Sequence, residues 1–279
     1  MRTFTSAVLG LLAVLLAAAA FGGAWLNANV VSEDGFAALG EPLAEDEALQ
    51  GSLASDLSAR ATESVDLPAP LAGLVAPVIT SAVEGIQALP EYPQAWNDTL
   101  RRSHALTFDD DGDGGGVTLD VAPLVALVTG TVGGELSVDV PDPGQVPVEI
   151  GGAGQAELVN NVQRAGEAWP VLALAAGVAG ILALLVARRR TTTFALMGLG
   201  VALAGAVLWL AAGILQERVA AQQFGSAVAS AFAEAFTGEA AESLRTWTIG
   251  LMIGGAAALV AGLLARAVRG SRRQAALRR

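Results

Sequence analysis

The sequence contains no cysteine and no lysine, and only one histidine and one tyrosine occur among its 279 residues. Without cysteine the chain has no disulfide framework, no thiolate nucleophile and no cysteine-bearing zinc site. The missing lysine excludes a Walker motif and a Schiff base, and the single histidine excludes metal sites that need two. These absences remove several classes of enzyme without indicating an activity.

Charged side chains are also scarce, at 15% of the chain against 53% hydrophobic residues. A soluble domain usually has about 25% charged residues. Four apolar stretches contain no ionisable residue, and each reaches about the 20 residues that cross a bilayer. These stretches are residues 7–26, 169–187, 194–215 and 247–265. The sequence therefore predicts an α-helical membrane protein with four transmembrane helices.

The distribution of arginine predicts how these spans are oriented. Ten arginines and no acid lie in residues 1–6, 188–193 and 266–279, whereas residues 27–168 and 216–246 hold six arginines and all 27 acids. Because short arginine-rich loops stay cytoplasmic, we expect a plasma-membrane protein with both termini inside and the two acidic segments outside.

The first span is interpreted as an uncleaved signal anchor. Arg2, the apolar run and the small residues Ala17 to Ala20 also resemble a secretory signal, and cleavage is the alternative. The apolar run is longer than the usual signal core, which favours the anchor.

Residues 27–168 predict a mainly helical α+β extracytoplasmic domain with a small sheet. Helices are expected over residues 44–64, 71–89, 92–106, 123–132 and 155–167. The alternation of Val117, Leu119 and Val121 with polar residues predicts a strand, for which His104 to Phe108 is the expected partner. Residues 136–150 are expected to be extended.

The clearest local motif is a run of aspartate and glycine. Asp109, Asp111, Asp113 and Asp120 occupy positions 1, 3, 5 and 12, and Gly114 occupies position 6, of an EF-hand calcium loop. This spacing predicts a calcium site of about 0.1 to 1 mM affinity. The alternative is a polar hairpin tip, where aspartate and glycine favour turns. No other cofactor and no catalytic residue is predicted.

A second pattern follows the third span. Phe224, Val228, Phe232 and Phe236 recur every four residues, on a helix that Gly238 is expected to end. This apolar stripe favours packing against the extracytoplasmic domain or the span ends. The alternative is a surface for a partner or for lipid headgroups.

The fourth span contains a G-x-x-x-G motif, Gly250 and Gly254, which permits close approach of helices. Packing within the same four-helix bundle explains this motif as well as packing against a partner does.

The layout as a whole resembles a family of uncharacterised four-span integral membrane proteins from actinobacteria, which have a large extracytoplasmic domain after the first span. The residues that carry the resemblance are Trp96, Arg101, His104, the strand Val117 to Val121, Trp169-Pro170 and the triplet Arg188 to Arg190. Leu100 stands where the relatives tend to have asparagine. The resemblance implies the same topology and no activity, and His104 is expected to form structural hydrogen bonds.

We therefore expect a non-enzymatic protein of the cell envelope whose acidic domain binds a protein, wall or lipid partner. The expected partners are the lipid bilayer and an envelope protein or a second copy of the chain. Nucleic acid is not expected, because the basic clusters are short and lie against the membrane.

Two alternatives stay open. The first is an FtsX- or MacB-like subunit coupled to a cytoplasmic ATPase, although only six residues precede the first span and six separate the second from the third. The second is a transporter or channel component, although ion pathways usually expose an ionisable residue within the membrane.

Overall fold

The computed structural model of the chain describes residues 2–64, 81, 85–108, 117–136, 144–150, 156–222 and 224–277. These residues form two compact units. The bundle unit contains Met1–Ala28, Gln163–Leu215 and Ala241–Arg279. The acidic unit contains Asn29–Val162 and Gln216–Ala240.

The described residues are mainly helical, with two short strands. In chain order the elements are α1 (Arg2–Leu26), α2 (Glu33–Gly40), α3 (Glu47–Ser64), α4 (Tyr92–Phe108), β1 (Thr118–Asp120), α5 (Ala122–Leu136), β2 (Pro147–Glu149), α6 (Ala156–Glu167), α7 (Trp169–Val186), α8 (Arg190–Ala220) and α9 (Ala227–Leu277). A π-helical turn, Asn27–Val31, extends α1, and 3-10 turns occupy Glu41–Glu45 and Ile86–Ala88.

Four of the described helices, α1, α7, α8 and α9, are long and apolar enough to cross a membrane. They contain the four predicted spans, apart from Ala187, which follows the last residue of α7. Their large side chains, among them Leu11, Val171, Leu203 and Ile253, lie on the outside of the bundle unit. A contiguous apolar exterior of this kind suits lipid rather than water.

Small residues form the inside of the bundle unit, where α8 and α9 meet. A β-carbon at Gly198 would lie 2.6 Å from the backbone nitrogen of Leu259, and one at Gly255 would lie 2.5 Å from that of Ala202. The two backbones therefore touch. Gly250 and Gly254 take no part in this contact, since no described atom comes within 4 Å of a β-carbon at either position.

Polar side chains cap the helices that begin the acidic unit. The backbone N–H of Gly35 donates to Ser32 Oγ at the start of α2, over 3.3 Å. The N–H of Leu49 donates to Asp46 Oδ1 over 2.8 Å. Each cap satisfies a donor that the first helical turn leaves free. The cap at Asp46 also places the start of α3 three residues later than the predicted residue 44.

The two strands form one antiparallel pair, with Leu119 opposite Val148. The expected pairing of β1 with His104 to Phe108 is wrong, because those residues belong to α4. Trp96, Leu100 and His104 are buried at intervals of four residues, so the helical period decides the structure of this segment. Pro147 is tolerated in β2 because both strands of a two-stranded sheet are edges.

The other predicted helices agree with the structure to different extents. α4, α5 and α6 contain or closely match the predicted helices at 92–106, 123–132 and 155–167. Most of the predicted helix at 71–89 lies outside the described residues, and its end forms the 3-10 turn Ile86–Ala88. α5 continues to Leu136, where an extended segment was expected to begin.

The core of the acidic unit takes side chains from distant parts of the chain. Its largest members on α4 and the sheet are Trp96, Leu100 and Leu119. Val228 and Phe232 of α9 are buried in the same core, which is the packing role favoured for the apolar stripe.

α9 does not end at Gly238, contrary to the expectation. Gly144 is the glycine with positive φ among the described residues, so Gly238 lacks the left-handed conformation with which glycine terminates helices. A glycine inside a helix costs about 1 kcal/mol, which burial of residues such as Val228 and Phe232 outweighs.

Candidate functional site

Four consecutive polar residues lie in the second half of α4, and two of them, Arg102 and Ser103, contact Asp120 of the sheet. Arg101, Arg102, Ser103 and His104 are consecutive on α4, and Asp120 is the last residue of β1. Ser103, His104 and Asp120 are buried, whereas both arginines are partly exposed. We call these five residues the α4 cluster.

Asp120 accepts hydrogen bonds that hold the sheet to α5. Its Oδ1 accepts from the N–H of Ala122 over 3.1 Å and from that of Val146 over 2.9 Å. Its Oδ2 lies 3.8 Å from a guanidinium nitrogen of Arg102. The N–H of Asp120 itself donates to Ser103 Oγ over 2.9 Å. The fold therefore supplies two hydrogen bonds to Oδ1 of the buried carboxylate and an ion pair to Oδ2.

The proposed calcium ligands Asp109, Asp111 and Asp113 lie outside the described residues. The fourth, Asp120, has Oδ1 directed at backbone N–H groups, so an ion would have to share this carboxylate. The described part of the chain contains no cluster of three or more side chains suited to a metal. The calcium site stays a prediction. Calorimetric titration with calcium tests it, by comparing the unaltered chain with an Asp111→Ala, Asp113→Ala variant. The absence of calcium heat from the unaltered chain would contradict it.

His104 is held in an aromatic environment. Its Nε2 lies 2.9 Å from the carbonyl oxygen of Val31. The ring stacks on Phe108 with centroids 4.7 Å apart and lies 5.4 Å from the ring of Phe36. If Nε2 carries the proton, it donates to this carbonyl. The contacts of His104 are thus those of a residue that joins α4 to the turn before α2.

Arg101 binds the first turn of α2. Its guanidinium donates to Glu33 over 2.7 Å and to Asp34 over 2.6 Å, and its Nε donates to Asn97 Oδ1 over 2.9 Å. The hydrogen bonds with Glu33 and Asp34 raise the pKa of Arg101 above its ordinary value. The two acids also suit the positive end of the α2 dipole.

Trp96 and Leu100 pack α4 against the end of α2. Trp96 Nε1 donates to the carbonyl oxygen of Gly40 over 2.9 Å. A β-carbon at Gly40 would lie 2.8 Å from a methyl group of Leu100, which is fully buried. An asparagine at position 100 would place its amide in this apolar contact, and leucine suits it better.

Arg245 is a charged residue of the bundle unit whose position the sequence did not indicate. Its guanidinium carbon lies 5.0 Å from the centroid of the Trp209 ring, a cation–π distance. A β-carbon at Gly213 would lie 2.5 Å from one of its nitrogens, so glycine leaves room for the guanidinium. Its Nε is buried without a hydrogen-bond partner among the described residues. Trp209 and Gly213 are one helical turn apart on α8, and this spacing was the only sequence feature that relates to the position of Arg245.

The chain matches no protein-family model, no curated protein and no solved structure.

Proposed function

We propose that the chain is a non-enzymatic integral membrane protein of the cell envelope, which presents the acidic unit outside the plasma membrane to a partner. The partition of charge between the two units carries this proposal. The acidic unit has 25 acids against four arginines, and the bundle unit has 12 arginines against two acids. The net charges are −21 and +10, which account for the −11 of the chain.

The arginines of the bundle unit support the orientation. Ten of its twelve arginines lie at the start of α1, at the connection of α7 and α8, and at the end of α9; the other two are Arg164 and Arg245. These three positions lie on one side of a bilayer if each helix crosses once. Short arginine-rich segments stay cytoplasmic. The proposal therefore has both termini inside and residues 27–168 and 216–246 outside.

The contacts of the α4 cluster support a role without catalysis. Asp120 binds backbone N–H groups, His104 contacts the Val31 carbonyl, and Ser103 Oγ donates to the carbonyl oxygen of Thr99 over 2.6 Å. A general base or nucleophile needs access to a reacting atom. These side chains instead connect α2, α4 and the sheet.

The charge of the acidic unit indicates which partner is favoured. A net charge of −21 repels anionic lipids and anionic wall polymers, and it attracts a basic surface. Among protein, wall and lipid partners, a protein with a basic surface is thus the best match. The ATPase-coupled alternative is less well supported, because three residues, 187–189, separate α7 from α8 and leave no coupling helix.

Thiol labelling tests the orientation cleanly, since the chain has no cysteine of its own. Ala38→Cys places one thiol at an exposed position of the acidic unit, and Ala267→Cys places one at an exposed position among the arginines of α9. In intact cells a membrane-impermeant maleimide should label only the Ala38→Cys variant. After lysis it should label both variants. Labelling of Ala267→Cys in intact cells would overturn the orientation.

Cross-linking tests the partner. A photoactivatable maleimide on Ala38→Cys should capture a protein in native membranes at low ionic strength, and capture should fall as salt screens the acidic surface. Equal capture at low and high salt would contradict a partner selected by charge.

A further inference from the structure

The bundle unit contains a groove between α1, the α7–α8 connection and the first turns of α8. Its volume is about 570 Å³, within the range of about 300 to 1,000 Å³ typical of ligand sites. One end is polar and is lined by Arg188, Arg189 and the hydroxyl-bearing residues Thr3, Thr192 and Thr193. We call this cavity the basic groove.

The rest of the basic groove is mainly apolar, since the hydroxyl of Ser6 is engaged with the carbonyl oxygen of Ala183. Leu11 and Val14 of α1 face Leu196 and Met197 of α8 across it. Leu11 and Leu196 are exposed on the outer surface of the helices. The cavity thus opens along a surface that suits lipid tails.

The length of the basic groove fits one leaflet of a bilayer. From Thr3 to Val14, α1 rises about 17 Å at about 1.5 Å per residue. Half of a hydrocarbon core of about 30 Å is about 15 Å. This comparison rests on the proposed function, in which α1 and α8 cross the membrane and Arg188 and Arg189 lie at its cytoplasmic face. The polar end then lies at headgroup level and the apolar part runs along an acyl chain.

Positive charge at the polar end has no compensating acid nearby. None of the described residues that line the groove is acidic. The sequence has no acid before Glu33 and none between Glu167 and Glu217. Guanidinium groups bind phosphate oxygens in bidentate fashion, and the positive end of the α8 dipole favours an anion at the same place.

We propose that the basic groove binds one anionic phospholipid, with its phosphate between Arg188 and Arg189 and an acyl chain between α1 and α8. The occupant is a lipid rather than a free phosphate because the larger part of the cavity is apolar. The bound lipid joins α1 to α8 on the side where arginines alone would repel one another.

Native mass spectrometry of the full-length protein in detergent tests the proposal, by titration with phosphatidylglycerol and with phosphatidylcholine of the same acyl chains. The unaltered protein should bind phosphatidylglycerol more tightly. The double variant Arg188→Gln, Arg189→Gln should bind it about thirtyfold more weakly, the factor expected when two arginine–headgroup interactions are lost. Arg188→Lys, Arg189→Lys keeps the charge but not the bidentate geometry, and should fall between the two.

A matched control removes two arginines of the same charged set that do not line the groove. Arg2→Gln, Arg266→Gln should change the affinity by less than about threefold, because neither residue lines it. Arg269 is unsuitable as a control, since it lines a second groove of about 400 Å³ together with Arg190.

A further variant separates a lipid from a free anion. Ala7→Trp fills part of the apolar portion of the basic groove. It should weaken the binding of phosphatidylglycerol and leave any effect of inorganic phosphate on thermal unfolding unchanged. Equal stabilisation by inorganic phosphate and phosphatidylglycerol would overturn the lipid assignment, as would equal binding to the unaltered and Arg188→Gln, Arg189→Gln proteins. Thiol labelling of Ala38→Cys in the unaltered background reports the orientation independently, so loss of the lipid site and loss of the proposed topology give different results.

Discussion

The two units are packed in opposite ways. In the acidic unit large side chains lie inside, with Trp96 and Leu100 at the centre of the core, and Asp120 is the charged residue buried among those described. In the bundle unit the smallest residues lie inside, with Gly198 and Gly255 at the contact of α8 and α9, and residues such as Leu203 lie outside.

The difference shows what stabilises each unit. Water drives large apolar side chains into the core of the acidic unit. Lipid gives no such driving force between helices, so close approach of backbones and dispersion contacts hold α8 to α9. The stability of the acidic unit should therefore depend most on its large side chains, and that of the bundle unit on its glycines.

The largest expected effect is the loss of a central side chain from the acidic unit. Trp96→Ala should lower the free energy of unfolding by about 3 to 5 kcal/mol, because it leaves a cavity and removes the hydrogen bond to Gly40. Limited proteolysis and chemical unfolding in detergent measure it. Trp247→Ala is the control in the bundle unit, since Trp247 is 42% exposed. An equal loss in both variants would contradict the comparison.

The next effect is overpacking in the bundle unit. Gly198→Leu should destabilise the protein by about 1 to 3 kcal/mol or more, because its side chain would meet the backbone of α9. Gly250→Leu has open space around it and should be neutral or stabilising. Thermal unfolding in one detergent compares the two. If Gly250→Leu were the more harmful, Gly250 rather than Gly198 would mark the contact that matters.

A polar change in the acidic unit should have a smaller effect. Asp120→Ala leaves the buried N–H of Ala122 and the partly buried N–H of Val146 without their acceptor, and should cost about 1 to 3 kcal/mol. Asp34→Ala removes an 84% exposed partner of Arg101 and should cost less, because exposed ion pairs contribute little to stability. Chemical unfolding distinguishes them, and equal costs would show that the Asp120 hydrogen bonds add no stability beyond a surface ion pair.

The last effect, which is zero at neutral pH, is a pH dependence that arises in the acidic unit. Burial raises the pKa of Tyr92, the one tyrosine of the chain, to about 12, from about 10 in an unfolded chain. Above pH 10 the unfolded chain loses this proton while the folded protein keeps it, so stability is full below pH 10 and falls between pH 10 and 12. Ultraviolet titration of tyrosinate measures the pKa directly, and Tyr92→Phe should remove this part of the fall. A titration midpoint of Tyr92 near pH 10 in the folded protein would refute the expected pH dependence.

Local patterns in the sequence predicted much of the fold. The four spans follow from hydropathy, and α3, α4 and α6 were expected close to where they occur, because helical signals are contained in neighbouring residues. The partner of β1 could not be found in this way, since β2 lies beyond α5 and residues 104–108 have both polar and apolar members. The end of α9 was also missed, because packing of Phe232 outweighed the local preference of Gly238.

The members of the α4 cluster were predicted in part. Arg101 and His104 were singled out, but their roles depend on Glu33, Val31 and Phe36, which are distant in the sequence. The calcium ligands were chosen by spacing alone, which does not reveal that Asp120 binds two backbone N–H groups. Arg188 and Arg189 were recognised as topological signals, and only the fold places them at the end of a cavity.

Val228 and Phe232 complete the core of the acidic unit, although α7 and α8 separate them in the sequence from the larger part of that core, which extends from Phe36 to Ile150. Synthesis runs from the N-terminus, so the ribosome makes two helices of the bundle unit before these residues exist. The acidic unit therefore cannot complete its core until the start of α9 has left the ribosome, and part of the core is exposed until then. The order of translation thus makes completion of the acidic unit a late step in biogenesis, and a nascent chain that ends before α9 is a natural substrate for chaperones and proteases.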